Sequence, residues 1–309
     1  MEQTEVSERT GTQSAGGAGL IAATSSAERT GGSVVAAQGC TTCGAAPAAT
    51  GAIASSYIYA IGRIEARFPR PSVEKEFAQA TGRADTAGLT DRQAVQRVLS
   101  QRQNRYLARQ LCWVMTIEGL ETYILVPRDP VDLDLLIEAL RATPSPMDLD
   151  CVIGTRGPIA PPDMCNGLMV PIVAFDQIYS FDREALVKAI PKPEKIAATD
   201  FEATAEEVFD RIMQMADNAG ATDEHRALNY CAVRYQAIYA SAADAFARNS
   251  SLTSVDVQTS PLSGTRKVMD VIFTYTNRAT DVTEKYFLRC DVTEEFPFLV
   301  TKLSPYYDR

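Results

Sequence analysis

The chain of 309 residues is long enough for one large domain or two average ones. Its hydrophobic fraction of 46% and charged fraction of 22% are ordinary for a globular protein and exclude disorder along its whole length. The formal net charge of -9 argues against binding to nucleic acid or to an anionic membrane, because both need a basic surface. Seven cysteines in so long a chain do not indicate a disulfide scaffold, so we expect a cytoplasmic protein with reduced thiols.

The first 56 residues differ in composition from the rest. Gly, Ala, Ser and Thr make up most of this segment, and no aromatic residue precedes Tyr57. Such a segment cannot bury enough apolar surface to offset the entropy that its backbone would lose on folding. We therefore predict a disordered tail over residues 1–56 and a folded domain over residues 57–309. A proline-spaced linker places a possible subdomain break near residues 190–203.

Hydrophobic periodicity predicts helices and hairpins in blocks, without a regular alternation of strand and helix. This arrangement indicates an α+β fold in one body, with a flexible N-terminal tail. In chain order we predict a helix from Ser72 to Gly82, one long helix from Thr90 to about Leu111, a hairpin over 112–128, a helix after Asp129, strands within 149–160 and 166–181, helices around 208–219 and 228–238, and a final antiparallel meander.

Cys40 and Cys43 form a CxxC pair that a glycine follows. Two thiolates separated by two residues commonly supply half of a tetrahedral zinc site. The alternatives are a redox-active pair and an incidental one; the redox reading is weaker because no βαβ pattern surrounds the motif. The pair therefore predicts a structural zinc ion.

A complete zinc site needs two further ligands, and the sequence contains no second CxxC. Cys165 is the leading candidate because it follows a Pro-Pro-Asp-Met turn, where a thiol is accessible. Cys112 and Cys231 fall at apolar positions, and we expect them to be small core residues. The remaining candidate ligands are Cys151, Cys290 and His225.

Arginines are concentrated on the predicted long helix. At about 100° per residue, Arg102, Arg105 and Arg109 fall within about 60° of one another. Arginines along the edge of an apolar face either pair with carboxylates of the same protein or bind those of a partner, such as an acidic peptide. Internal partners near in sequence are Glu118, Glu121 and Asp129.

Residues for catalysis are scarce. His225 is the sole histidine and lies at a predicted helix start beside acidic residues, where we expect a solvated side chain. No GxSxG elbow, HExxH or Walker loop occurs. Acidic pairs such as Asp132 and Asp134 are typical of helix starts, where carboxylates favour the helix dipole. We assign no catalytic residue, and an enzymatic activity is not favoured.

Three long segments are similar to the C-terminal domain of the cyanobactin maturation proteases, the PatG family: Phe68–Leu125, Gly157–Arg183 and Phe287–Tyr307. The likeness extends over Tyr57–Arg309, and the CxxC stretch resembles the linker before that domain. The resemblance implies a domain of unknown function that occurs in enzymes tailoring ribosomally made peptides into macrocycles. This chain carries no subtilisin-like nucleophile signature, so we expect a stand-alone domain without protease or macrocyclase activity.

Two functions follow as hypotheses. The first is a non-catalytic accessory or scaffold domain of ribosomal peptide natural-product biosynthesis, which binds a precursor peptide or a partner maturation enzyme. The second is a small peptide-tailoring enzyme that depends on a cysteine or a metal. The single histidine and the absence of nucleophile motifs favour the first.

Overall fold

The computed structural model of the protein describes residues 56–82, 86–190, 197–215 and 217–307. The predicted tail, with Cys40 and Cys43, lies outside these ranges, as does most of the proline-spaced linker. The described residues all belong to one unit, Gly51–Arg309. None of the helices found in them is long and apolar enough to cross a membrane.

Over these ranges the chain forms eight α-helices and nine strands. The strands are β1 Tyr57–Arg67, β2 Cys112–Ile117, β3 Leu120–Pro127, β4 Asp148–Ile159, β5 Pro171–Asp182, β6 Ser250–Thr259, β7 Val268–Asn277, β8 Thr283–Asp291 and β9 Phe298–Pro305. The helices are α1 Pro71–Thr81, α2 Asp91–Leu99, α3 Arg105–Ala108, α4 Leu133–Ala139, α5 Arg183–Ala189, α6 Ala198–Met213, α7 Asp223–Arg234 and α8 Ala237–Ala247.

The first five strands close into a barrel in the order β1-β2-β3-β5-β4. All neighbours are antiparallel except β3 and β5, which pair in parallel from Ile124 opposite Ile172 onwards. Side chains alternate across a strand, so the two faces of β1 enter different cores. Ile58 and Ala60 pack in one core with β2, β3 and helices α1–α4, and Tyr59 packs in the other.

The second core joins the barrel to the rest of the chain. Strands β6–β9 form an antiparallel meander in sequence order. Val271 and Phe273 on one face of β7 are buried with side chains of α6–α8 and with Cys151 of β4. The barrel and the meander therefore share one apolar core across the predicted break near residues 190–203.

The predicted α+β class is confirmed, as are the hairpin after Cys112 and the final meander. The hairpin turns at Glu118 and Gly119, both with positive φ (51° and 81°), as in the type I′ turns that match strand twist.

The predicted single helix from Thr90 to Leu111 is wrong. Thr90 does begin a helix, with a complete capping box to Gln93, but α2 ends at Leu99. A 3-10 turn over Arg102–Asn104 then precedes the short α3. The buried Asn104 amide donates a hydrogen bond to the Val98 carbonyl, at 3.0 Å. Such side-chain bonds to the backbone compete with the helical ladder, so the helix stops here.

The predicted helix through residues 228–238 is also interrupted. Tyr235, with φ -119° and ψ 84°, leaves helical geometry and separates α7 from α8. Its backbone N–H still bonds to the Cys231 carbonyl. Both interruptions fall where apolar 3-4 spacing continues, so periodicity did not reveal them.

Candidate functional site

A cavity of about 470 Å³ opens beside the β2–β3 hairpin of the barrel. This volume lies in the range of ordinary ligand sites, about 300–1,000 Å³. Four segments form its walls: the approach to α1, the end of α3 with the start of β2, the end of β3 with the start of α4, and the loop between β4 and β5. The residues that line it include three arginines, an apolar group and a pair of cysteines: Arg70, Arg109, Arg128, Leu111, Trp113, Leu125, Leu133, Asp163, Met164, Cys112 and Cys165.

The floor of the cavity is apolar. Trp113 and Leu125 are directly opposite each other in the β2–β3 ladder, and both are almost fully buried. The Trp113 indole N–H donates to the Ala108 carbonyl at 3.0 Å, so its polar atom is satisfied by α3. Leu111 and Leu133 complete this surface from the flanking segments. A ligand would meet apolar side chains here that are already fixed in place.

The rim of the cavity carries three arginines, Arg70, Arg109 and Arg128, which we call the arginine rim. Arg70 lies between Pro69 and the first residue of α1, in extended conformation at the helix N-cap. Arg109 is the C-cap of α3. Both are exposed, and neither side chain has a hydrogen-bond or ion-pair partner in the part of the chain that the structure describes. Both lie beside an apolar cavity, so an anionic ligand of that cavity would meet two cations that carry no internal pairing.

The third member of the rim is already paired. Arg128 contacts Asp176 of β5 at 2.8 Å and Glu295 of the β8–β9 connection at 3.5 Å. Partial burial and the neighbouring Asp176 carboxylate raise the pKa of Glu295 to about 7, against the opposing charges of Arg128 and Arg226. Arg128 therefore ties the barrel to the meander, and Arg70 and Arg109 are the arginines available to a ligand.

A disulfide closes one side of the cavity. Cys112, the first residue of β2, is bonded to Cys165 in the β4–β5 loop, with the Cα atoms 5.6 Å apart. This pairing differs from the expected reduced thiols and from the interpretation of Cys112 as a simple core residue. A disulfide sulfur is not a thiolate, so the ligand role expected for Cys165 stays a prediction for the reduced protein.

The three arginines predicted as one stripe have different surroundings in the structure. Arg102 is exposed in the 3-10 turn and does not line the cavity. Arg105 forms an ion pair with Asp134 of α4, which is none of the partners expected from sequence. Arg109 alone reaches the cavity. The break at Ser100 and Gln101 lies before all three arginines, so Arg102 and Arg105 differ from Arg109 in their surroundings and not because of the break.

The three other cysteines among the described residues do not line this cavity. Cys151, Cys231 and Cys290 are free thiols, and all three are buried. Burial raises the pKa of Cys151 and of Cys290 to about 12, and raises the pKa of Cys231 as well. Among the described residues no group of three or more potential metal ligands comes together. Zinc bound by Cys40 and Cys43 stays a prediction.

His225 occupies the first turn of α7, as predicted, but Thr222 provides the cap. The imidazole is half-buried, which lowers its pKa. Its Nδ1 atom is buried without a hydrogen-bond partner in the described part of the chain. The residue is less solvated than expected.

Sequence reasoning missed Arg70, Arg128 and Trp113. The local sequence around the two arginines indicates secondary structure rather than a binding site. Arg70 lies between two prolines at a helix start, and Arg128 lies between a strand and an Asp-Pro helix start. Trp113 is the sole tryptophan of the chain and lies at the start of a buried strand. Their proximity depends on barrel closure, which sequence patterns do not specify.

A closed five-stranded barrel joined to a helix-backed meander is also the fold of a solved structure described as the PatG Domain of Unknown Function. The TM-score is 0.68 at 21% sequence identity, over 82% of this chain and 99% of that chain. Residues 195–306, which include α6–α8 and β6–β9, match the family described as PatG C-terminal. The resemblance inferred from the sequence is confirmed. No curated protein matches the chain.

Proposed function

We propose that this protein is a non-catalytic peptide-binding module of ribosomal peptide natural-product biosynthesis. Its binding site is the cavity with the arginine rim. The ligand is an acidic peptide segment that places an apolar side chain on Trp113 and Leu125 and carboxylates on Arg70 and Arg109. The family match supports the biosynthetic setting, and the two unpaired arginines carry the assignment of the ligand.

Charge complementarity decides the class of ligand. Each guanidinium can donate two parallel hydrogen bonds to one carboxylate. Neither Arg70 nor Arg109 uses this capacity within the described residues. Each charge-assisted bond contributes about 1.5–3 kcal/mol when its partners are partly removed from water. The apolar floor adds affinity without depending on charge, so a peptide with both features binds better than one with either.

A cysteine-dependent tailoring enzyme has less support. The nucleophile in such chemistry is an accessible thiolate. The free cysteines among the described residues are buried and have raised pKa values, which oppose both requirements. In this alternative the nucleophile would have to come from the disulfide at the cavity, whose sulfurs are not thiolates while they are bonded.

The test is a binding measurement with two peptides and two protein variants. The probe is a short fluorescein-labelled peptide with one leucine flanked by glutamates, and its partner carries glutamine at each glutamate. Anisotropy should show binding of the acidic probe and at least tenfold weaker binding of the neutral one, since about 1.4 kcal/mol corresponds to tenfold.

The site variant is Arg70→Ala with Arg109→Ala. Its matched control is Arg97→Ala with Arg102→Ala, which removes the same charge from exposed side chains outside the cavity. We expect at least tenfold weaker binding in the site variant and near wild-type binding in the control, with equal melting temperatures. Equal losses in both variants would reduce the effect to net charge and contradict the proposal.

A further inference from the structure

The β4–β5 loop forms one wall of the cavity through its tip, residues 161–168. Asp163, Met164 and Cys165 of this tip line the cavity. The backbone hydrogen bonds of the tip are local: Met164 N–H donates to the Pro161 carbonyl, and Gly167 N–H to that of Met164. Among the described residues, the disulfide from Cys165 to Cys112 links the tip to the opposite wall, and the backbone hydrogen bonds of the tip do not.

The loop tip has an unfavourable backbone. Cys165, Asn166 and Gly167 have φ angles of 48°, 57° and 86°, so three successive residues lie in the left-handed region. Only glycine adopts this region without a steric penalty. A segment of this kind, with few bonds to its surroundings, stays in one conformation only while something holds it.

We propose that the Cys112–Cys165 disulfide is a redox switch for the cavity: the oxidised form holds the loop tip as a wall, and reduction releases it. The effect of the switch on peptide binding rests on the proposed function. Its effect on the loop tip rests on the fold alone. The oxidised cavity is preorganised, so its ligand does not bear the entropy of ordering the wall. Reduction therefore weakens binding of the acidic probe.

The exchange has a defined direction. Cys165 is half-buried and Cys112 is almost fully buried, so an incoming thiolate meets Cys165 Sγ. A dithiol reductant attacks there, forms a mixed disulfide and expels Cys112 as a thiolate, which takes up a proton. The second thiol of the reductant then displaces Cys165 as a thiol. The reductant leaves as its own disulfide, and its two electrons and two protons have passed to the cysteines.

The experiment measures the loop and the binding site separately. Hydrogen exchange of peptides covering residues 161–168 is followed in oxidised protein and after dithiothreitol, and probe anisotropy is measured on the same samples. We expect exchange in the loop tip to become about tenfold faster on reduction, and the Kd of the probe to rise about fivefold. Cys165→Ser, which leaves the buried Cys112 in place, should match reduced wild type and be insensitive to dithiothreitol.

The outcomes are distinguishable. Unchanged exchange on reduction, or free thiols at both positions in air-oxidised protein, would overturn the switch whatever the probe does. Faster exchange with an unchanged Kd would overturn its coupling to the cavity. If the probe binds neither the oxidised nor the reduced protein, the proposed function and the regulatory role are both contradicted. Faster hydrogen exchange on reduction in the same samples would still establish that the disulfide restrains the loop tip.

Discussion

Arg105 of α3 forms an ion pair with Asp134 of α4, and this contact joins the two helices that flank the cavity. Both side chains are about two-fifths exposed, at 38% and 41%. Water therefore screens the pair, so we expect it to contribute little to stability while it occupies the Arg105 guanidinium.

We expect Arg105→Ala to lower the free energy of unfolding by about 0.5–1 kcal/mol, the upper range for an exposed ion pair. Asp134→Asn should cost a similar amount, and the double variant should be no worse than either single one. Urea denaturation of the wild type and the three variants gives this double-mutant cycle. The Kd of the acidic probe should change less than twofold in Arg105→Ala. A tenfold higher Kd in a folded variant would show that Arg105 takes part in peptide binding.

Gly220 connects the segment before α7 to β1 at very short range. Its φ is +70°, and a Cβ placed there would lie 2.4 Å from the Tyr59 carbonyl oxygen. We expect Gly220→Ala to destabilise the protein by about 2–4 kcal/mol, because the clash is with backbone that cannot move aside.

The matched control for this change is Gly88→Ala. Gly88 has a similar φ of +77° but nothing within 4 Å of the added carbon. It should lose only about 1–2 kcal/mol, the cost of the left-handed conformation itself. Equal losses at the two glycines, measured by urea denaturation, would show that the close approach to β1 has no energetic weight.

Glu295 makes the stability of the protein depend on pH. Its pKa in the folded protein is about 7, above the ordinary value of 4.5, so the folded state holds a proton that the unfolded chain releases between these values. The unfolded state then binds fewer protons, and the stabilisation is present at low pH and lost as the pH rises towards 7. The wild type should lose melting temperature relative to Glu295→Gln between pH 5 and pH 8.

Glu294→Gln serves as the control, because its exposed side chain makes no recorded contact with Arg128 or Asp176. The melting temperatures of the wild type and of Glu294→Gln should keep a constant difference across the same pH range. A wild-type curve that runs parallel to that of Glu295→Gln would remove Glu295 as the titrating group.

The predicted zinc at Cys40 and Cys43 is tested by the metal content of the purified protein. Protein purified without added metal should contain near-stoichiometric zinc, and Cys40→Ser with Cys43→Ser should lose it. A structural zinc contributes to folding, so the domain's stability should fall with it. Zinc content that falls in Cys165→Ser but not in Cys112→Ser would assign Cys165 as a ligand. Zinc content equal in wild type and the Cys40→Ser, Cys43→Ser variant would refute the site.

The fold class was accessible from sequence because local patterns determine it. Alternating side chains predicted the meander, and the Glu118-Gly119 turn predicted the first hairpin. Barrel closure was not accessible, because the pairing of β1 with β4 and of β3 with β5 depends on contacts far apart in the chain. The site was therefore only partly visible: Arg109 and Cys165 were named separately, and nothing in the sequence placed them in one cavity.

The break between α2 and α3 shows the same limit on a smaller scale. Apolar spacing favours a continuous helix here, but the Asn104 amide bonds to the Val98 carbonyl and ends it. Residues that hydrogen-bond locally weaken a helix without changing its hydrophobic period.

The sole tryptophan of the chain lies in the proposed site, so it offers the most direct test of the central claim. In protein labelled with ¹⁵N, the Trp113 indole N–H gives a single side-chain resonance, from a group held by the Ala108 carbonyl. Titration with the acidic probe should shift this resonance in saturable fashion, with the Kd found by anisotropy. Neither the neutral probe nor the Arg70→Ala, Arg109→Ala variant should give that shift. Saturable binding of the acidic probe that leaves the Trp113 resonance in place would put the ligand elsewhere on the protein and contradict the account.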